Sequence, residues 1–305
     1  MQVDPWPPLP YEAWKDTYAT LHMWSQIVGK ITLALAPPLN HSWGISLRVT
    51  SRGLTTPVLP HGTRTFTIEF DFVAHRLLVR TSDGDERTLA LAPRCVADFY
   101  DDVMALLDGM GLPVHIWTMP VEIPDPIRFT EDRQHCAYDP DAVTRFWRIL
   151  VQVDRAFRAC RTSFIGKCSP VHFFWGSFDL CVTRFSGRRA PERPGADRIT
   201  QEAYSHEVSS VGFWPGSGDI ADAAFYAYTA PEPAGLRDRP VLPAAAAYRA
   251  ALGEFVLMYD DVRAARSPSA ALRDFCESTY AAGADLAQWN RAALERVENA
   301  STSNP

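Results

Sequence analysis

Few of the patterns that mark a dedicated chemistry occur in this chain. In 305 residues there is no GxGxxG or GxxxxGK[ST] loop, no GxSxG elbow, no HExxH and no CxxC pair. The spacings that carry dinucleotide binding, P-loop phosphate binding, elbow-type acyl transfer and helical zinc hydrolysis are therefore missing. Gly166-Lys167-Cys168-Ser169 has the look of a phosphate-loop end, but Arg161 stands where the first glycine is required. No apolar run approaches the roughly 20 residues that cross a bilayer, so no membrane partner is expected. Positive charge is not in excess either. A net charge of −6 argues against binding nucleic acid by phosphate neutralisation. The eight histidines show no ligand spacing, so no metal is expected and no particular cofactor is indicated. Six cysteines without a short-range pair follow an opening, MQVDPWPPLP, that lacks the basic start and apolar stretch of a leader. Together they point to a reducing cytoplasm.

What is present is ordinary globular composition, 47% hydrophobic and 22% charged, enough for a sizeable core. Tyr11 to Val28 has helical periodicity, with Tyr11, Trp14, Tyr18, Leu21 and Val28 on one stripe and Gly29 as the stop. Lys15, His22 and Gln26 lie on the opposite side. Between Ile31 and Ala92 the period switches to two, giving a meander of about five antiparallel strands with Asp83-Gly84 as a hairpin turn. Pro93 to Met110 reads as a covering helix and Val114–Trp117 as a short strand. The Pro-rich segment 119–126 reads as the boundary between two halves. Asp139-Pro140 pairs an N-cap with a first-turn proline and opens a long helix to about Phe164. Strands are expected near 207–214, 223–228 and 254–259, and Ser267-Pro268 opens C-terminal helices interrupted near Gly283. The expectation is an α+β fold of antiparallel β-sheets covered by long helices, in two similar-sized halves, 1–125 and 126–298, with a tail at 299–305.

The most specific segment is Phe164 to Gly187. Gly176-Ser177 is a two-residue hairpin turn that pairs Trp175 with Phe178, Phe173 with Leu180 and Val171 with Val182 on an apolar face. The same register pairs Phe174 with Asp179 and His172 with Cys181 on the other, so an imidazole, a carboxylate and a thiol share a face. His172 oriented by Asp179 suits general acid–base work or metal ligation. The competing reading is a core histidine bonded to Asp179, with Cys181 as a small buried hydrophobe.

Around this pair stand other candidates. In Tyr204-Ser205-His206-Glu207 alternation sends His206 and Glu207 to opposite faces, so one or other of them is the candidate to join His172 and Asp179 as a catalytic residue if this strand pairs near the hairpin. Arg184 at the strand's end, with Arg188 and Arg189 in the adjoining loop, suits an anion held by guanidinium forks; a solvated basic loop is the plainer reading. Lys167 reads as a helix C-terminal cation and a second anion contact. Tyr204, Trp175, Trp214, His22 and Trp24 complete the ligand-binding set, the tryptophans as pocket wall or as core filler.

The stretches WPPLPYEAWKDTYATLHMWSQIVGK (6–30), FDFVAHRL (70–77), SPVHFFWGSFDLCVTRFSGRRAP (169–191) and YSHEVSSVGFWPG (204–216) resemble a bacterial family known only as domain of unknown function 5996, over roughly residues 5 to 297. Alanine is the residue associated with that family where this chain has Cys181. The resemblance implies no reaction, cofactor or catalytic residue. From the residues, a cytoplasmic small-molecule enzyme with a His172/Asp179 acid–base pair and Arg/Lys anion contacts is expected. A non-catalytic ligand-binding or protein-interaction module is the alternative.

Overall fold

The alternating segments between Arg48 and Ala90 form an antiparallel sheet in a computed structural model of the protein, which describes residues 4–218 and 220–296. The strands are β1 (Arg48–Val49), β2 (Gly53–Thr55), β3 (Leu59–His61), β4 (Arg64–Asp71), β5 (Arg76–Thr81) and β6 (Glu86–Ala90), in the order β1-β2-β4-β5-β6 with β3 also on β4. Around Asp83-Gly84 the register is Arg80↔Glu86 and Leu77↔Leu89. A second six-stranded antiparallel sheet runs β11-β12-β10-β9-β8-β7. Its members are β7 (His172–Phe174), β8 (Asp179–Arg189), β9 (His206–Trp214), β10 (Ala224–Ala230), β11 (Ala247–Arg249) and β12 (Glu254–Met258). Seven α-helices complete the α+β fold among the described residues: α1 (Lys15–Leu35), α2 (Val96–Gly109), α3 (Pro140–Arg161), α4 (Arg198–Ala203), α5 (Tyr259–Ala264), α6 (Pro268–Leu286) and α7 (Arg291–Leu294). No helix among them is long and apolar enough to cross a membrane.

The chain forms two compact units. The first takes Met1–Asp154, Val171–Cys181 and Phe213–Ala224, and the second takes Arg155–Pro170, Val182–Gly212 and Phe225–Pro305. The 119–126 connection thus lies inside the first unit, where residues 114–117 are irregular rather than a strand. The tail expected at 299–305 lies outside the described residues.

Helix α1 is the centre of the first unit, buried on every side from Tyr18 to Thr32 apart from Ala19, which is half-buried. Both its stripes are covered, so His22 and Gln26 do not overhang solvent. Nor does Gly29 end the helix: a Cβ there would sit 2.1 Å from Trp175 Cδ2. Its glycine is a contact point that lets an indole lie against the backbone. Trp24 stacks on Phe99 at 4.4 Å between ring centroids, and Phe146 stacks on Phe178 at 5.4 Å. Helix α3 starts as its Asp139-Pro140 opening requires, with Asp139 Oδ1 accepting from Asp141 N at 2.9 Å.

In the second unit α6 runs unbroken through Gly283, where a Cβ would meet Thr229 Oγ1 at 1.9 Å. Phe164, Tyr280, Ala284 and Trp289 form a core cluster there. Two of the six cysteines are joined, Cys95 to Cys136, across a separation of 41; Cys160, Cys168, Cys181 and Cys276 are free thiols. Sequence spacing gave no sign of that bond, because its partners are brought together only by tertiary structure.

Candidate functional site

The hairpin has the register read from its turn: His172↔Cys181, Phe173↔Leu180 and Phe174↔Asp179. Its polar face, however, is covered. His172 is 1% exposed, Asp179 6% and Cys181 4%. Ser46 Oγ lies 3.2 Å from His172 Nδ1 and accepts from Arg48 Nη1 at 2.6 Å, while the Phe174 ring packs on the imidazole at 4.4 Å. Asp179 accepts from the Ser177 hydroxyl two residues earlier. The alternation separates two faces correctly. It does not reveal that the segment holding Ser46 and Leu47 closes over β7, through reciprocal backbone bonds between Leu47 and Phe173 at 2.8 and 2.9 Å.

The remaining candidates of the first unit are held by packing and hydrogen bonds within it. His22 Nε2 donates to Gly176 O at 2.8 Å, and burial drives its pKa down to about 4, so the ring is neutral at pH 7. Gln26 clamps one peptide: its Nε2 donates to Val121 O at 2.8 Å and its Oε1 accepts from Val121 N at 2.9 Å. Trp175 is anchored by Nε1 donating to Ile45 O at 2.9 Å. Trp24 is wholly buried among Phe99 and Tyr138. Trp214 is half-buried and, with Ser217, hydrogen-bonds the Tyr18 hydroxyl, whose pKa burial pushes up to about 12.

Arg184, in the second unit, does not reach the rim as expected of an anion contact. It is 5% exposed, donates to Cys160 O, pairs with Glu277 Oε1 at 2.7 Å and lies over the Tyr280 ring at 4.2 Å. Both of its terminal nitrogens are thus engaged within the protein. Glu207 is likewise engaged, by Arg188 Nη2 at 2.7 Å. Lys167 stands six residues past the end of α3, so it is not that helix's terminal cation; its ammonium lies 4.8 Å from the Phe185 ring centroid.

The accessible chemistry of this unit lies just beyond β8. A pocket of about 370 Å³ is lined by Arg189–Pro194, Gln201, Tyr204 and Ser205. Its walls follow from local structure. The chain leaves β8 at Arg189, and Asp197 Oδ1 caps α4 by accepting from Ile199 N at 2.8 Å and Thr200 N at 3.1 Å. Gln201 Nε2 ties back to Ala196 O at 2.7 Å. The Arg193 guanidinium lies 3.8 Å over the Tyr204 ring, a cation–π contact that holds it at the wall. Tyr204 is steadied by its hydroxyl donating to Tyr228 at 3.2 Å. Beside the pocket, His206 Nδ1 is 3.1 Å from Ser205 Oγ. Partial burial lowers the His206 pKa, and the positive charges of Lys167 and Arg189 lower it further. The surroundings thus gather Lys167, Arg189, Arg193 and His206 on a chain of net negative charge, with Glu192 as the one carboxylate in the lining. Arg193 was not singled out by sequence reasoning; the APERPG run that carries it reads as a loop whether or not it borders a cavity.

An aspartate–histidine pair in the first unit also escaped notice. Asp132, wholly buried, accepts from His135 Nδ1 at 2.7 Å and from the backbone N–H of Gln134 and His135 at 3.0 and 3.1 Å. The bond to Asp132 raises the His135 pKa, and the same contacts outweigh burial to lower that of Asp132. No group of three or more potential metal ligands occurs among the described residues. Residues 6–296 match the DUF5996 model, described as a family of unknown function, and the chain belongs to that family. No curated protein and no solved structure matches it.

Proposed function

We propose that this member of DUF5996 binds an anionic small molecule in the pocket between the end of β8 and α4. One observation carries the reading: two exposed guanidinium groups, Arg189 and Arg193, line a 370 Å³ cavity with an aromatic wall at Tyr204. Guanidinium forks bind carboxylate or phosphate bidentately, and an aromatic face supports the apolar or planar part of such a ligand. Lys167 adds positive potential beside the pocket, and His206 adds to it only when protonated. The binding-module reading draws more support than acid–base catalysis by His172 and Asp179, because both are buried at the hairpin, His172 against Ser46 and Phe174 and Asp179 bonded by Ser177. A cytoplasmic setting is part of the proposal, and a disulfide there belongs with redox chemistry rather than with secretion.

The test is calorimetric titration of the whole protein with pyrophosphate and with succinate. Binding of either, lost in Arg189→Ala and Arg193→Ala while the circular dichroism spectrum is unchanged, is the expected result. Absence of binding by both probes, or binding indifferent to both substitutions, would remove the pocket from consideration.

A further inference from the structure

We propose that Cys95–Cys136 is a redox-active disulfide that oxidises a dithiol by thiol–disulfide exchange. Both cysteines are half-buried rather than sealed in the core, so an incoming thiolate has a sulfur to attack. The junction that carries them is held independently of the S–S bond. Val96 N donates to His135 O at 3.1 Å and Ala97 N to Asp132 O at 3.0 Å, which docks residues 132–136 on the first turn of α2. The buried Asp132 carboxylate fixes that segment from within, through His135 Nδ1 and two backbone N–H groups. Arg133 ion-pairs with Asp98, and Arg94 pairs with Asp102 at 3.0 Å. With these contacts in place, opening the disulfide leaves the two thiols facing each other, and the pair can cycle without refolding.

The two sulfurs are not equivalent. Cys95 is the N-cap residue of α2, a helix of 14 residues, where the positive end of the helix dipole stabilises a thiolate. Of the acidic side chains in the first two turns of α2, Asp98 and Asp102 are paired with Arg133 and Arg94, and Asp101 is exposed to solvent. Cys136 has no such helix end; its sulfur lies 3.2 Å from Arg133 O. The better leaving group in exchange is the thiol of lower pKa. One thiolate of the dithiol therefore attacks Cys136 Sγ, the S–S bond breaks, and its electron pair leaves on Cys95 Sγ. The second thiol, deprotonated, attacks the substrate sulfur of the mixed disulfide and displaces Cys136 as thiolate. The dithiol ends as a disulfide, the protein gains two electrons, and the two protons released are taken up by Cys95, Cys136 or solvent.

The experiment treats the folded, full-length protein with millimolar dithiothreitol at neutral pH. Intact mass, circular dichroism and, after mild acidification, the alkylation of each cysteine by iodoacetamide are then followed by peptide mapping. The expected result is a mass gain of two hydrogens with the fold intact, reversal by oxidised dithiothreitol, and alkylation of Cys95 ahead of Cys136. Resistance to the reductant until denaturant is added, loss of the fold on reduction, or alkylation of Cys136 first would overturn the proposal. All three readouts come from the unsubstituted protein, so none depends on a variant that fails to fold.

Discussion

Replacing Gly29 by alanine sets two effects of opposite sign against each other. Gly29 lies inside α1, where alanine is better than glycine by about 1 kcal/mol on helix propensity alone. A methyl group there would approach Trp175 Cδ2, Cγ and Cε2 at 2.1, 2.2 and 2.4 Å, distances at which the ring must move. Trp175 is 5% exposed and tied to Ile45 O, so displacing it brings overpacking, about 1–3 kcal/mol. It also leaves a buried N–H unpaired, about 1–3 kcal/mol. The net expectation for Gly29→Ala is a loss of about 3 kcal/mol, read from urea unfolding with an unchanged m-value. The same substitution in a Trp175→Ala background meets no ring and should be neutral or stabilising. The coupling in the double-mutant cycle is then about 3–4 kcal/mol. A neutral Gly29→Ala in the native background, or an equal cost in both backgrounds, would refute the contact.

His22 provides a pH signature. Its imidazole accepts a proton near 6.5 when unfolded but only near 4 when folded, so between these values the unfolded chain holds more protons and stability falls as the pH drops. The window is worth about 3 kcal/mol, and His22→Gln should flatten the stability–pH curve between pH 4 and 6.5. For Gln26, replacement by glutamate should cost more than replacement by alanine, about 2 kcal/mol for the latter, because a carboxylate cannot donate to Val121 O; thermal unfolding ranks the two variants. Gly283→Ala should destabilise the second unit by about 2 kcal/mol and be relieved in part by Thr229→Ala, which removes Oγ1 at 1.9 Å and Cγ2 at 3.3 Å but leaves Cβ at 2.9 Å. Anion binding at the Arg189/Arg193 pocket should tighten below the ordinary histidine range. Protonating His206 there adds a positive charge, and a titration at two pH values should lose that dependence in His206→Gln.

Local patterns that depend on a few neighbouring residues were legible. The hairpin register, the Asp83-Gly84 turn and the Asp139-Pro140 start all follow from turn chemistry, capping and a period of two, and all appear in the structure. Patterns whose meaning depends on distant partners were not. Gly29 and Gly283 have the composition of helix stops, yet each is where another element touches the helix backbone; apolar residues continuing past Gly29 at Ile31 and Leu33 were the available hint. The polar face of the hairpin reads as open because alternation reports that two faces differ, not which one the rest of the chain covers. Arg184 occupies the parity of Leu180 and Val182, and its burial against Glu277 and Tyr280 was fixed by a helix some 90 residues later. The cavity beyond β8 was half visible, through Arg189 and Tyr204, since a cavity is a property of loop geometry rather than of composition.

The enclosure of α1 also bears on how the chain is made. This helix leaves the ribosome well before the hairpin that covers it, since His22 finds its acceptor at Gly176, 154 positions later. At synthesis rates of about 5–20 residues per second, its aromatic stripe waits roughly 8–30 s before the hairpin that covers it exists. During that interval α1 is an exposed apolar segment of nascent chain, a natural client for a holdase. The first unit can close only after Phe178 has been added, so truncations ending before that residue should leave α1 unshielded and prone to aggregate.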